Sequence, residues 1–171
     1  GSTSIRDGFV RLRLAGAIDA QDRWIGGDHP RDTAEAAKEA LAQGYSAVKM
    51  NATDELKWID SFEKLDAAAE RVAAVRDAVG NKLSVAMDFH GRVHKTMAKV
   101  LMKKLEPYDL MFVEEPVLTE NEDEFLELAR ASHIPIATGE RNYTRWGFKR
   151  MLARGGVDIV QPDVSHCGGI L

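Results

Sequence analysis

Two periods of apolar and polar positions alternate along this chain. Apolar runs of four or five residues, Ser46–Met50, Leu83–Met87, Leu110–Val113, Ile134–Ala137 and Val157–Val160, are separated by stretches where apolar residues return every three or four positions. The short runs predict strands buried on both faces, and the stretches between them predict amphipathic helices. The runs start 37, 27, 24 and 23 residues apart, which is the rhythm of repeated βα units.

The helical stretches carry start and stop signals. Asp32 and Glu35 form a capping box after Pro30, and Gly44 offers a stop. Leu65, Ala68, Val72, Val75 and Val79 step by 3, 4, 3 and 4, so they share one helical face that Gly80 ends. Met97, Val100, Leu101 and Leu105 line another face before Pro107. Asn121 with Glu124 marks a further cap leading into Phe125, Leu128 and Ala129. A last helix is expected from about Arg145 to Ala153, stopping at Gly155-Gly156. Towards the N-terminus the pattern fades: Phe9–Leu14 reads as a strand, and Ala17–Arg23 shows no period. Two α/β architectures fit: a doubly wound open sheet, or part of a (β/α)8 barrel.

Composition narrows the function classes. The chain has 171 residues, 44% apolar and 29% charged, with a net charge of −4, which describes a globular domain with a real core. It has no basic run of the kind that binds nucleic acid, and no apolar stretch near the roughly 20 residues that span a bilayer. The single cysteine, Cys167, excludes an internal disulfide and fits a reducing compartment, so a cytoplasmic location is expected. Gly1-Ser2 reads as an expression scar.

The candidate chemistry lies at the strand ends. Asp88, Glu114 and Glu140 each end a successive strand at spacings of 26 and 26, and Asp163 follows 23 residues later. In a parallel barrel all these ends face one way, on the face that carries catalytic groups. An open sheet would spread them along a line, so the spacing favours the barrel. Carboxylates converging without partners would repel, and a divalent cation with hard oxygen ligands, as Mg²⁺ prefers, removes the difficulty. A single acid at a strand end is more often a helix cap or a solvated loop residue; it is the series that argues for a site. Glu115 stands beside Glu114, and spacing does not choose between them. His90 lies at i+2 from Asp88, so strand alternation turns both to one side. Lys49 ends the "AVKM" strand, with Asn51 at i+2 on its side. His166, in a glycine-flanked turn after Asp163, is a candidate substrate contact, whereas His29, His94 and His133 read as structural.

From about Trp24 to Leu171 the sequence resembles the enolase superfamily, in its D-galactonate dehydratase branch. The motifs that carry the resemblance are "WIGGD", "AVKMN", "MDFHGRVHK", "FVEEPV", "GER" and "IVQPDVSHCGG" in this order and spacing. It implies a Mg²⁺-dependent hydro-lyase that removes water from D-galactonate through an enediolate, giving 2-keto-3-deoxy-galactonate. It makes Asp88, Glu114 and Glu140 the metal ligands, choosing Glu114 over Glu115. His90 becomes the acid that protonates the departing 3-hydroxyl, and Asp163 the orienter of a second histidine supplied by the next strand. Lys49, Asn51 and His166 would contact substrate. Asn51 stands where other branches carry a second lysine, which argues against a racemase or cycloisomerase. A full barrel takes roughly 250 residues. The expectation is therefore an incomplete barrel, from strand 1 or 2 to strand 6, without the capping domain. Residues 1–23 would form a poorly matching N-terminal segment and 24–171 the barrel piece. The 171 residues alone are expected to be inactive and to form a homo-oligomer. The partner is a small-molecule sugar acid, with neither nucleic acid nor membrane. The alternatives are a dehydratase of another sugar acid, such as mannonate or a deoxy sugar acid, and a catalytically silent metal-binding or structural fragment.

Overall fold

The computed structural model describes residues 22–25, 29–51, 53 and 56–169. Six strands alternate with five helices: β1 (Asp22–Ile25), α1 (Pro30–Ala42), β2 (Ala47–Met50), α2 (Phe62–Val79), β3 (Ser84–Asp88), α3 (Lys95–Leu105), β4 (Phe112–Glu114), α4 (Glu122–Ala131), β5 (Ile136–Thr138), α5 (Thr144–Arg154) and β6 (Ile159–Val160). Short 3-10 turns follow α2 and α3 at Gly80–Lys82 and Glu106–Tyr108. All the pairings are parallel, and the order across the sheet is β1-β2-β3-β4-β5-β6. A doubly wound sheet reverses its order at a switch point. This one never does, so it has the singly wound order of a barrel wall.

Register and alternation divide the strand residues between two faces. Val48, Met50, Val85, Met87, Val113 and Ile136 face the helices and join Leu65, Val72, Leu101, Phe125 and Leu128 in the main core. Ala47, Ala86, Phe112 and Ala137 face the other way and form a second, smaller apolar cluster with Ile159 against it. The inner face is thus lined below by small and aromatic side chains, leaving the last inward position of β2, β3 and β4 for Lys49, Asp88 and Glu114. That arrangement explains why these strands read as continuous apolar runs: both of their faces are covered.

The elements begin one or two residues later than the apolar runs. Leu83, Leu110 and Ile134 are buried as the chain enters the sheet, before the strands begin. On α2 the five residues expected on one face are all buried, and Gly80 ends the helix at φ +59°. The start of α1 differs from the expected capping box. His29 is the cap, its Nδ1 accepting from Arg31 N at 3.1 Å, while Glu35 pairs with Lys38. Pro30 at the first helical position moves the start upstream of Asp32. The strand expected at Phe9–Leu14 lies outside the described residues. β1 is an element the fading pattern did not reveal, and it spans the boundary expected between residues 23 and 24.

Candidate active site

Lys49, Asp88 and Glu114 share the inner face by register alone. Lys49 is level with Ala86, Asp88 lies two residues further along the same strand, and Glu114 pairs with Asp88. All three are buried, Lys49 at 2% exposure. The Lys49 ammonium donates to Asp88 Oδ2 at 3.2 Å and to Glu114 Oε2. Burial works to lower the Lys49 pKa, but the charges of Glu114 and Asp88 outweigh it and the net direction is up. The Glu114 carboxyl is pushed up as well, by burial first and by the Asp88 charge second. Two carboxylates therefore share one ammonium in a dry setting.

His90 joins this cluster, though not by strand alternation. β3 ends at Asp88, and His90 sits in a left-handed turn at φ +53°. The turn is held because His90 N donates to Asp88 Oδ1 at 2.8 Å, which brings the ring Nε2 to 3.5 Å from Asp88 Oδ2. The ring is partly exposed, at the mouth of the site.

Glu115 turns away from its neighbour at φ +47°. Its fully buried carboxylate accepts from Thr138 Oγ1 and from Gly139 N, and Arg141 Nε lies at 3.3 Å. Burial pushes its pKa up to about 7. Arg141 also donates to the His90 carbonyl at 3.0 Å, tying the loop after β5 to the loop after β3. Gly139 is required here. At φ +142° a Cβ would stand 2.9 Å from Gln161 N.

Glu140 is not drawn into the pair. Glu114 is level with Ala137, so Glu140 lies three residues beyond that level, past Gly139. Its side chain is 32% exposed, with Arg141 Nε at 3.9 Å. Among the described residues no three His, Cys, Asp or Glu side chains cluster closely enough to hold a metal ion. Asp88 and Glu114 nevertheless fit one. They offer hard oxygens, in register and buried, with more negative charge than Lys49 neutralises.

The other expected residues lie around the rim. Asn51 Oδ1 accepts from Thr53 N at 3.3 Å and so shapes the loop after β2. Asp163 accepts from Ser165 N at 2.8 Å, and its carbonyl accepts from His166 and Cys167 N. His166 is exposed, 3.4 Å from the Glu140 carbonyl and stacked on Tyr143. His29 caps α1, His94 stacks on Trp58 and His133 lies near Glu106, so each has a structural setting. Sequence reasoning missed Thr138, Arg141 and Gln161. Gln161 is buried, and its backbone N donates to the Thr138 carbonyl at 2.9 Å. Its signal was available in the alternation Ile159, Gln161, Asp163.

A singly wound parallel sheet with an acid–lysine cluster at its strand ends defines a (β/α)-barrel domain of the enolase type. The chain belongs to the enolase C-terminal domain-like family, whose model matches residues 32–171. Over 147 residues it is 50% identical to a D-galactonate dehydratase of Ralstonia pickettii (strain 12J), a match covering 86% of this chain and 38% of that protein. A solved member of the enolase superfamily from Salmonella Typhimurium superposes with a TM-score of 0.82 at 30% identity, covering 87% of this chain and 44% of its own. A mandelate racemase/muconate lactonizing enzyme from Jannaschia sp. CCS1 gives 0.80 at 31% identity, covering 86% and 42%. The chain thus spans well under half of the length of each.

Proposed function

We propose that this chain carries the ligand and acid side of a Mg²⁺-dependent sugar-acid dehydratase that converts D-galactonate to 2-keto-3-deoxy-galactonate. The observation that supports it most directly is the buried Asp88–Glu114 pair with the His90 ring 3.5 Å from Asp88. The kinship to a D-galactonate dehydratase at 50% identity points to the same substrate class. Asp88 and Glu114, joined by Glu140 from the loop after β5, would hold the metal. When bound, it would supply Lewis-acid stabilisation to the carboxylate oxygens of a substrate losing its neighbouring proton.

In this reading His90 carries the acid proton on its ring, with Nε2 3.5 Å from Asp88 Oδ2. From the mouth it delivers that proton to the departing 3-hydroxyl, since hydroxide is a poor leaving group. Asp163 orients a histidine base contributed from beyond this segment. Lys49, Asn51 and His166 meet the anionic, hydroxyl-rich substrate. Mg²⁺ prefers oxygen to imidazole, which leaves the acid role rather than metal ligation to His90.

The test is an assay of the protein, at the full length its gene encodes, with Mg²⁺ and D-galactonate, mannonate or a deoxy sugar acid. A 2-keto-3-deoxy product from D-galactonate that EDTA abolishes supports the reading. His90→Asn is expected to stop dehydration while Mg²⁺ still binds. Turnover of only another sugar acid, or loss of metal binding in that variant, counts against it.

A further inference from the structure

Lys49 has an unusual position for a lysine. It begins low on the inner face, level with Ala86, and reaches upward. Two residues along a strand amount to about 6.6 Å of rise, close to the span of a lysine stem. The methyl of Ala86 leaves room for that stem to run up to Asp88 and Glu114. The ammonium ends between the two carboxylates, bonded to both, at 2% exposure. Two acids in register on adjacent buried strands would otherwise repel each other at close range. The ammonium therefore occupies the same ground as a hard divalent cation would.

We infer that Lys49 is a tethered counter-ion for the Asp88–Glu114 pair, and that a divalent cation enters by displacing its ammonium. The inference rests on the metal reading above and adds a competition to it. Lys49 brings one positive charge to two carboxylates, and a divalent ion brings two. The two cations repel each other, and the same carboxylate oxygens serve both. Metal loading then breaks the bonds to Asp88 and Glu114 and moves the amine towards the mouth. Lys49 is thus a counter-ion in the metal-free chain and a contact for an anionic substrate only after loading. The site is held open and pre-aligned in either state, because one cation or the other keeps the acids together.

Two measurements on the metal-free and Mg²⁺-loaded chain test this. The first is amine labelling with acetic anhydride, read lysine by lysine by mass spectrometry in EDTA and in saturating Mg²⁺. Lys49 is expected to be protected in EDTA and to label about tenfold faster in Mg²⁺, the size of an ordinary coupling between two ligands. Labelling uses the wild-type chain, so it decides the matter even if a variant does not fold. The second is calorimetric titration with Mg²⁺ of wild type and Lys49→Met, where removing the competing charge should tighten binding by about tenfold. Bound Mg²⁺ with Lys49 still protected, or weaker binding in Lys49→Met, overturns the displacement and leaves the metal reading standing. Absence of Mg²⁺ binding in both proteins overturns the two together.

Discussion

Glu114 and Glu115 are neighbours with opposite surroundings. Glu114 faces inward with Lys49 and Asp88, while Glu115 serves Thr138, Gly139 and Arg141. The difference comes from the turn at Glu115, whose φ of +47° ends the pleat just after β4. A left-handed conformation costs a non-glycine residue on the order of 1 kcal/mol, offset here by the bonds the buried carboxylate gains. The neighbours should therefore respond differently to removal of charge. Glu114→Gln is expected to weaken Mg²⁺ binding by about tenfold or more, on the premise that a lost charged ligand costs upwards of 1.4 kcal/mol. Glu115→Gln should bind Mg²⁺ nearly as wild type does. Calorimetric titration of both variants checks this, and a larger loss at Glu115 would reverse the assignment.

At the scale of elements, α2 is the longest helix of the described chain and its start depends on the residue before the cap. Ser61 makes no capping bond. The Asp60 carboxylate instead accepts from Lys57 N at 3.0 Å, Ser61 N at 2.9 Å and Lys64 Nζ at 2.9 Å. Those bonds, led by the one from Lys57, hold the Asp60 pKa down at about 2 against an ordinary 3.8. Its negative charge also suits the positive end of the helix dipole. A lowered carboxyl pKa contributes stability that is fully present above the unfolded value and is lost as pH falls through the folded one. Unfolding midpoints in urea should therefore drop between about pH 4 and about pH 2, and Asp60→Asn should flatten that drop. Equal slopes in the two proteins would show that the carboxylate does not stabilise the helix start.

Across the whole molecule, β1 and β6 are the outermost strands of the described sheet. β6 has two residues, both only half-buried. Beside it, Phe148, Leu152, Val160 and Pro162, with Arg145 and Lys149, line an open, largely apolar pocket of about 530 Å³, and Leu152 and Val164 are exposed. An edge with unpaired backbone groups and apolar neighbours favours pairing with another chain. The 171-residue chain is accordingly expected to associate. Sedimentation equilibrium over a range of concentrations should give masses above that of one chain, and a monomer throughout would remove the case for this edge.

Most of the barrel wall was legible in the sequence because burial on both faces leaves continuous apolar runs, and helix faces repeat every three or four residues. The α2 face and its glycine stop followed from spacing alone. So did the placing of Asp88 and Glu114 at matched strand ends, since a parallel sheet with short regular connections keeps them level. β1 left no such trace in the pattern. The cap of α1 moved to His29 because Pro30 is better placed at the first helical position than any residue after it. Three features needed the third dimension. Lys49 reaches Asp88 and Glu114 across 39 and 65 residues, and only the register of β2 on β3 brings it there. The turn at Glu115 depends on bonds to Thr138 and Gly139, far along the chain, and the turn at His90 adds to its local bond with Asp88 one from Arg141 to its carbonyl. Glu140 keeps the expected spacing but stands past Gly139, outside the buried pair, because equal sequence intervals become equal heights only while the chain stays in the strand. Sequence by itself determined which chemical groups gather at one end of the sheet; the tertiary structure decided which of them touch, because contact depends on register and turn geometry between segments far apart in the chain.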